Sequence, residues 1–194
     1  MIDLKGIEII AIGGSAGGIK AVSEILKSLP KNFPIPIIIV LHRLKNVQSS
    51  LPKVIQYHTG LRVKEADEKE TIAPCCAYVA PANYHLLIER DKTFAMDYSE
   101  SVNYSRPSID LTFECVSAIY GKNSVGILLT EANDDGANGL LRIRNGGGKC
   151  YVQDPKTAHS KTMPQAAINL GATHGIIALE NIGPMLKEAA ERTK

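Results

Sequence analysis

The chain has 194 residues, of which 44% are hydrophobic and 22% charged, and its formal net charge at pH 7 is +2. This composition is typical of a globular protein with a sizeable core, and the length predicts a single domain over residues 1–194. The lysines and arginines form no basic run, which argues against a nucleic-acid partner. No apolar run approaches the roughly 20 residues that span a bilayer, which argues against direct membrane insertion.

The cysteines point to a reducing compartment. Cys75, Cys76, Cys115 and Cys150 show no Cys-x-x-Cys spacing, and the start of the chain lacks the apolar segment of a secretory signal. We therefore expect a cytoplasmic protein. Closely spaced metal ligands are not found either, so the sequence predicts neither a metal site nor a cofactor.

Apolar β-rich runs recur along the chain, and most gaps between them carry the period of an amphipathic helix. This alternation predicts an α/β fold, doubly wound, with a mostly parallel sheet and helices on both faces. The predicted strands are 7–12, 36–41, 77–80, 125–130, 150–153 and 175–179. The predicted helices are 18–29, 49–58, 108–120, 136–145, 163–170 and 184–192.

One segment departs from this alternation. Residues 85–89 and 93–97 are short strand-like runs on either side of Arg90-Asp91-Lys92, which is the pattern of an antiparallel hairpin. We expect the hairpin near an edge of the sheet, which would then be mixed at that edge.

Polar groups follow three of the predicted strands. Ser15 lies in Gly13-Gly14-Ser15-Ala16-Gly17, a G-x-S-x-G pattern between a strand and a helix, and His42 directly follows the second strand. Asp134 and Asp135 follow strand 125–130. Because parallel strands end at the same edge of a sheet, these groups form a candidate nucleophile, base and orienting carboxylate. The spacing does not choose between the two aspartates.

The glycine-rich loop has other interpretations. A serine N-cap on a tight strand-to-helix bend explains the motif about as well when it is taken alone. A dinucleotide loop would need glycine at position 15 and a carboxylate near 33–36, and a Walker A loop would need Gly-Lys-Ser/Thr; the chain has none of these. The order Ser, His, Asp also differs from the order in α/β-hydrolases.

The chain resembles the catalytic domain of CheB-type chemotaxis protein-glutamate methylesterases over nearly its full length. The matching segments are AIGGSAGG, IIIVLHR, AYVAPANYHLLIE, SRPSIDLTFECVS, VGILLTEANDDGANGLLRIRNGGG and VQDPKTAHSKTMPQAAI. The resemblance implies hydrolysis of glutamyl methyl esters on chemoreceptors, with release of methanol, and deamidation of certain glutamines. The implied partners are the cytoplasmic helices of methyl-accepting chemoreceptors or a similar methylated protein.

The resemblance also implies residue roles. Ser15 corresponds to the nucleophile and His42 to the base, and Asp135 is chosen because the family's aspartate directly precedes a glycine. Backbone N–H groups of Ala16 and Ala132 would form the oxyanion hole. Regulated members carry a receiver domain before the esterase domain, and none is recognised in this sequence. Three interpretations stay open: a stand-alone esterase, a module that works with a separate receiver-domain regulator, or an excised part of a longer protein.

Two departures from the family pattern support a second hypothesis. The family commonly has threonine where this chain has Ala16, and glycines where it has Glu131 and Asn133. Added side chains restrict the backbone, and a carboxylate opposes an anionic intermediate. The alternative is a catalytically weakened receptor-binding module of the same fold.

Three further side chains have open roles. Arg106 is predicted either to meet acidic residues of a receptor helix or to pair with a surface carboxylate, with equal weight. Tyr84 and His85 either line the cleft or, for His85, serve a structural role. His159 belongs either to a lid over the site or to a solvated loop.

Overall fold

A computed structural model describes residues 4–15, 17–42, 50–130 and 134–192. The strands are β1 (Ile9–Gly14), β2 (Ile37–Leu41), β3 (Arg62–Glu65), β4 (Cys76–Val79), β5 (His85–Ile88), β6 (Phe94–Asp97), β7 (Ser124–Leu128), β8 (Lys149–Gln153) and β9 (Gly175–Ile177). The α-helices are α1 (Gly18–Lys27), α2 (Leu51–Gln56), α3 (Ile109–Tyr120), α4 (Ala137–Asn145), α5 (Thr162–Asn169) and α6 (Leu179–Glu191). No helix within these ranges is long and apolar enough to span a bilayer.

The main sheet has seven strands in the order β3-β4-β2-β1-β7-β8-β9, and every neighbouring pair is parallel. Its central strands are apolar on both faces, so that successive residues enter two different cores. Ile10 and Ile12 of β1 pack with residues of α1, α2 and α6. Ile9 and Ala11 pack with residues of α3, α4 and α5. The predicted doubly wound α/β fold is confirmed.

The predicted antiparallel hairpin is also confirmed, as the pair β5–β6. It forms a two-stranded sheet of its own and leaves the main sheet purely parallel. The cause is the burial of Leu86, Ile88 and Phe94, which join the core between the main sheet and α3. The hairpin therefore packs on one face of the main sheet. It does not extend the edge of that sheet, which is where we expected it.

Two elements differ from the sequence-based prediction. Strand β3 was not predicted, and α6 begins at Leu179 rather than at residue 184. Pro184 lies inside α6. Close packing of this helix on α1 accounts for the difference, because a Cβ added at Gly183 would lie 2.5 Å from the carbonyl oxygen of Ile25.

The centre of the sheet is a topological switch point. β1 lies between β2 and β7, and the chain leaves β1 toward one side and later returns to its other side. Crevices form at such points, outside the carboxyl ends of the strands. The three predicted polar groups follow these three strands.

Candidate active site

The parallel register places Ser15 and His42 side by side. Gly14 is the register partner of Leu41, so the next residues, Ser15 and His42, leave adjacent strands together. The backbone N–H of His42 donates to the carbonyl of Gly14 at 3.2 Å, and that of Ser15 donates to the carbonyl of Thr130 at 3.0 Å. The strand-end backbone is therefore hydrogen-bonded across all three central strands.

The His42 imidazole is bound to the Asp135 carboxylate. The distance from Nε2 of His42 to Oδ2 of Asp135 is 2.7 Å. Because an ionised carboxylate only accepts, Nε2 carries the proton. The imidazole is 12% exposed and the carboxylate 0%. Nδ1 is then the nitrogen that can accept a proton from a neighbouring hydroxyl.

Asp135 is ionised although it is buried. Burial raises the pKa of this carboxyl, but hydrogen bonds from His42 and from the backbone N–H of Ile109, with the charge of His42 and the hydroxyl of Ser108, lower the pKa below its ordinary value. The Ile109 N–H donates at 2.7 Å and the Ser108 hydroxyl at 2.9 Å. Both donors lie at the N-terminus of α3, where the helix dipole also favours an anion.

The four N–H groups at the N-terminus of α3 all have acceptors, either Asp135 itself or the side chains of Ser108 and His85. The N–H groups of Ile109 and Asp110 donate to Asp135, at 2.7 and 3.3 Å. The N–H of Leu111 donates to the hydroxyl of Ser108, the N-cap residue, at 3.4 Å, and the N–H of Ser108 donates to Nδ1 of His85 at 3.1 Å. The N-terminus of the helix is thus satisfied by the residues that surround the site.

A second aspartate makes the reciprocal contact. Asp110, in the first turn of α3, accepts from the N–H groups of Gly136 and Gly139 at 2.8 and 2.6 Å, at the N-terminus of α4. Asn103 bridges the two carboxylates and donates to Asp110 at 3.2 Å and to Asp135 at 3.3 Å. Burial, and next the nearby charge of Asp135, raise the pKa of Asp110 despite these bonds. Asp135, which precedes α4, therefore caps α3, and Asp110, in the first turn of α3, caps α4.

Gly136 explains why glycine follows this aspartate. Its φ is +97°, and an added Cβ would lie 2.6 Å from Cγ2 of Ile109 and 2.7 Å from Cδ1 of Leu128. Both the left-handed backbone and the close approach of α3 exclude a side chain here. The glycine thus allows Asp135 to reach the N-terminus of α3.

A cleft of about 670 Å³ opens beside Ser15, between α1 and α2. It is lined by Ser15, Gly17, Ile19, Lys20, Ser23, Glu24, Lys27, Val54 and His58. Ile19 and Val54 are nearly half exposed there. The cleft offers an apolar floor with lysines along it, next to the candidate nucleophile.

The structure brings Ser15, His42 and Asp135 to one edge of the sheet and separates Asp134 from them. Asp134 contributes its carbonyl to the N–H of Ala137, and its side chain is exposed. Ala16 and Ala132, predicted for the oxyanion hole, lie outside the described residues, as do Glu131 and Asn133. No group of three or more His, Cys, Asp or Glu within the described ranges is arranged to bind a metal.

Within the described residues, Arg106 bonds to backbone carbonyls and forms no ion pair with a surface carboxylate, while its contact with a receptor helix stays a prediction. Its Nη1 donates to the carbonyls of Tyr98 and Ser99 at 3.0 and 2.6 Å. Its guanidinium also stacks on the Tyr98 ring, 4.2 Å from the centroid. These contacts hold the loop before α3, because a planar guanidinium donates several hydrogen bonds in a fixed fork while its face stacks on an aromatic ring.

His159 lies beside the loop of the candidate nucleophile. An added Cβ at Gly17 would lie 2.9 Å from Cβ of His159. The neighbouring Ser160 N–H donates to the Thr130 hydroxyl at 2.7 Å, which ties this segment to the end of β7. The imidazole is exposed at the rim of the site.

Sequence reasoning missed Asn103, Ser108 and Asp110 as parts of the site. The signal that could have found Ser108 and Asp110 is Ser-x-Asp at the predicted start of α3, since serine N-caps and first-turn acids mark helix N-termini. That pattern predicts a cap, but only the tertiary structure shows which carboxylate it surrounds. No comparable pattern marks Asn103.

The fold and the three strand ends define an α/β protein with a candidate serine-hydrolase site. The chain belongs to the CheB methylesterase family, whose family model matches residues 10–186. A protein of Leptospira interrogans named "Putative protein-glutamate methylesterase/protein-glutamine glutaminase" is 46% identical over 178 residues, 92% of this chain and 92% of that protein. Protein-glutamate methylesterase FrzG of Myxococcus xanthus is 33% identical over 93% of this chain, but the match covers only 54% of FrzG.

A solved structure agrees with this assignment. The crystal structure of the CheB methylesterase catalytic domain of Thermotoga maritima superposes with a TM-score of 0.89 at 31% identity. The match covers 94% of this chain and 98% of that domain. The likeness in fold therefore extends over nearly the whole chain.

Proposed function

We propose that this protein is a protein-glutamate methylesterase in which Ser15 is the nucleophile, His42 the base and Asp135 the orienting carboxylate. The observation that carries the proposal is the 2.7 Å bond from His42 Nε2 to Asp135, formed at the strand end beside Ser15. Membership of the CheB methylesterase family supports the choice of a glutamyl methyl ester as substrate.

The mechanism is acylation followed by deacylation. The Ser15 Oγ attacks the ester carbonyl while Nδ1 of His42 takes the hydroxyl proton, and Asp135 stabilises the imidazolium. His42 returns the proton to the methoxy oxygen, and the C–O bond breaks to release methanol. Water activated by His42 then attacks the acyl-serine, which frees the glutamate and restores Ser15. A glutamine side chain enters the same cycle with ammonia as the leaving group.

The oxyanion hole in this proposal uses the backbone N–H groups of Ala16 and Ala132, as the family resemblance implies. Ser15 lies three positions before Gly18, the first residue of α1, and its carbonyl accepts the N–H of Gly18 at 2.7 Å. The remaining N–H groups near this helix start would favour an anion.

The proposed substrates are the cytoplasmic helices of methyl-accepting chemoreceptors or a similar methylated protein, which places the activity in the cytoplasm. A separate receiver-domain protein would regulate it. Lys20 and Lys27 line the cleft beside Ser15 together with one carboxylate, Glu24, so the charged side chains of the cleft have a net positive balance that is compatible with a substrate rich in carboxylates.

The experiment that tests the proposal is release of labelled methanol from a receptor cytoplasmic fragment that has been methylated enzymatically. Ser15→Ala should lower turnover by a factor on the order of 10⁴–10⁶, as removal of the nucleophile does in other triads. Ser28→Ala, at the opposite end of α1, is the matched control and should keep the parent rate. Full methanol release by Ser15→Ala would refute the assignment.

A second candidate, the catalytically weakened receptor-binding module, rests on Glu131 and Asn133, where the family commonly has glycine. The double variant Glu131→Gly, Asn133→Gly separates the two. A large gain in methanol release from a slow parent would support the weakened module. A fast parent that gains nothing would eliminate it.

A further inference from the structure

His85 is a fully buried imidazole with both ring nitrogens engaged. Nδ1 accepts the backbone N–H of Ser108 at 3.1 Å, and Nε2 bonds to the carbonyl of Glu100 at 2.9 Å. Because an amide N–H only donates and a carbonyl only accepts, these partners fix the neutral tautomer with its proton on Nε2. The imidazole is therefore a rigid link between two chain segments.

Both of those segments reach the same carboxylate oxygen. Ser108 donates its hydroxyl to Oδ1 of Asp135 at 2.9 Å. Glu100 belongs to the loop 98–107, and Asn103 of that loop donates to the same oxygen at 3.3 Å. His85 thus joins the start of the hairpin to the N-cap of α3 and to the loop that approaches Asp135.

We propose that His85 is a positioning residue of the esterase site, which fixes Asp135, and through it the His42 ring, by holding Ser108 and the 98–107 loop. The inference rests on the proposed function of Ser15 and His42. His85 contacts neither of those residues within the described contacts, nor does it line the cleft beside Ser15. Its loss should therefore lower kcat and leave KM nearly unchanged.

Three variants separate positioning from general stability. His85→Leu removes both hydrogen bonds. His85→Asn places Oδ1 where Nδ1 lies, so the Ser108 N–H keeps its acceptor. Thr112→Val is the matched control: the Thr112 hydroxyl is buried at the same contact between hairpin and α3 and lies 2.7 Å from the Leu86 carbonyl and 3.3 Å from the Ser108 carbonyl. Its loss leaves the Ser108 hydroxyl and N–H, which are the groups that link His85 to Asp135, in place.

For His85→Leu we expect kcat to fall by a factor on the order of 10 to 100, the range for residues that orient a functional side chain. His85→Asn should recover most of that loss. Thr112→Val should lower Tm to a similar extent with kcat near that of the parent. Equal losses of kcat in His85→Leu and Thr112→Val would overturn the proposal.

A second readout does not depend on activity. In the parent, the proton between His42 Nε2 and Asp135 should give a low-field proton signal by NMR. That signal should shift or broaden in His85→Leu and persist in Thr112→Val. An unchanged signal in folded His85→Leu would overturn the positioning role, even in an active enzyme. A shifted signal with an inactive parent would support positioning and refute the proposed function alone.

Discussion

Asp135 shows how hydrogen bonds from a helix N-terminus and a neighbouring imidazole stabilise one buried charge. Its oxygens accept from the His42 ring, from two backbone N–H groups of α3 and from the Ser108 hydroxyl. Hydrogen bonds to a buried anion contribute more than neutral ones, because the alternative is an ion without its solvent. The carboxylate therefore contributes to both folding and the orientation of His42.

Asn has nearly the same size and shape as Asp but no charge. Asp135→Asn therefore tests what the charge contributes to folding and to the orientation of His42. An amide group turns one of its donors toward groups that also donate, so we expect a loss of about 1–3 kcal/mol in the free energy of unfolding. Turnover should fall by a factor on the order of 10⁴, because the amide favours the wrong tautomer of His42. Methanol release and urea titration measure the two effects, and Asp134→Asn, on the exposed neighbour, is the control.

The same variant has a predicted pH dependence. The pKa of Asp135 is lowered from 3.8 in the folded protein, so the native state binds fewer protons than the unfolded state. Its stabilisation is complete above that ordinary value and is lost as the pH falls through the folded pKa. The difference in unfolding free energy between parent and Asp135→Asn should therefore shrink in acid. A difference that does not change with pH would contradict this assignment.

At the scale of elements, α3 and α4 exchange their caps. Asp135 lies just before α4 and binds the N-terminus of α3, while Asp110 lies in α3 and binds the N-terminus of α4. Each helix supplies the anion that satisfies the free N–H groups of the other. The pair therefore forms as a unit, and the position of the carboxylate beside His42 depends on both helices.

Asp110 tests this coupling. Asp110→Ala leaves the N–H groups of Gly136 and Gly139 without their acceptor and should cost about 1–2 kcal/mol of unfolding free energy, together with part of the esterase rate. Asp110→Asn keeps an acceptor and should cost less. The pKa of Asp110 is raised from 3.8 by burial, so its ionised form becomes a cost as the pH rises through the folded pKa. Relative to the parent, Asp110→Asn should thus gain stability from acid to neutral pH. A larger cost for Asn than for Ala at pH 7 would contradict the capping role.

Sequence patterns predict well those strands in which every residue is buried, because the whole strand then appears as an apolar run in the sequence. The apolar runs of β1, β2 and β7 are buried along their whole length, and their ends locate Ser15 and His42. Strand β3 has one fully buried residue, Val63, between polar neighbours, so it carries no apolar run. Its position at the edge of the sheet becomes visible only through its pairing with β4.

The rest of the site depends on contacts between distant segments. Asp135 lies 26 positions from Ile109, its strongest backbone donor, and no local pattern relates the two. The choice of Asp135 over Asp134 came from family resemblance for the same reason. Likewise, Pro184 favours a helix start locally, but packing against α1 extends α6 in front of it.

At the scale of the whole molecule, two cores enclose the sheet and bury two of the four thiols, while Cys115 is half-buried. Cys75 is exposed, whereas Cys76 and Cys150 are buried. Burial raises the pKa of Cys76, and it raises the pKa of Cys150 to about 12. A thiol in such surroundings is neutral at physiological pH and reacts slowly.

These thiols can test the proposal that residues 1–194 form a single domain. In the native protein a thiol reagent should label Cys75 promptly, and Cys76 and Cys150 only when the whole chain unfolds. Labelling in increasing urea, followed by mass spectrometry, should give one midpoint for both buried thiols, equal to the midpoint from circular dichroism. Cys75→Ser and Cys115→Ser together remove the background from the two thiols that are not fully buried. Two separate midpoints would show that β4 and β8 belong to different folding units.

The exchanged caps of α3 and α4 affect which site residues persist among chains of this fold. A carboxylate that also closes a helix is retained by the demands of folding, whether or not the chain still hydrolyses anything. Among the described residues, the Ser15 side chain closes no helix, since the N-cap of α1 is Gly17 and has no side-chain cap. The serine is therefore free to change once hydrolysis is no longer selected. In a set of chains of this fold, we expect the serine only in those that still hydrolyse esters, and the aspartate in active and inactive chains alike.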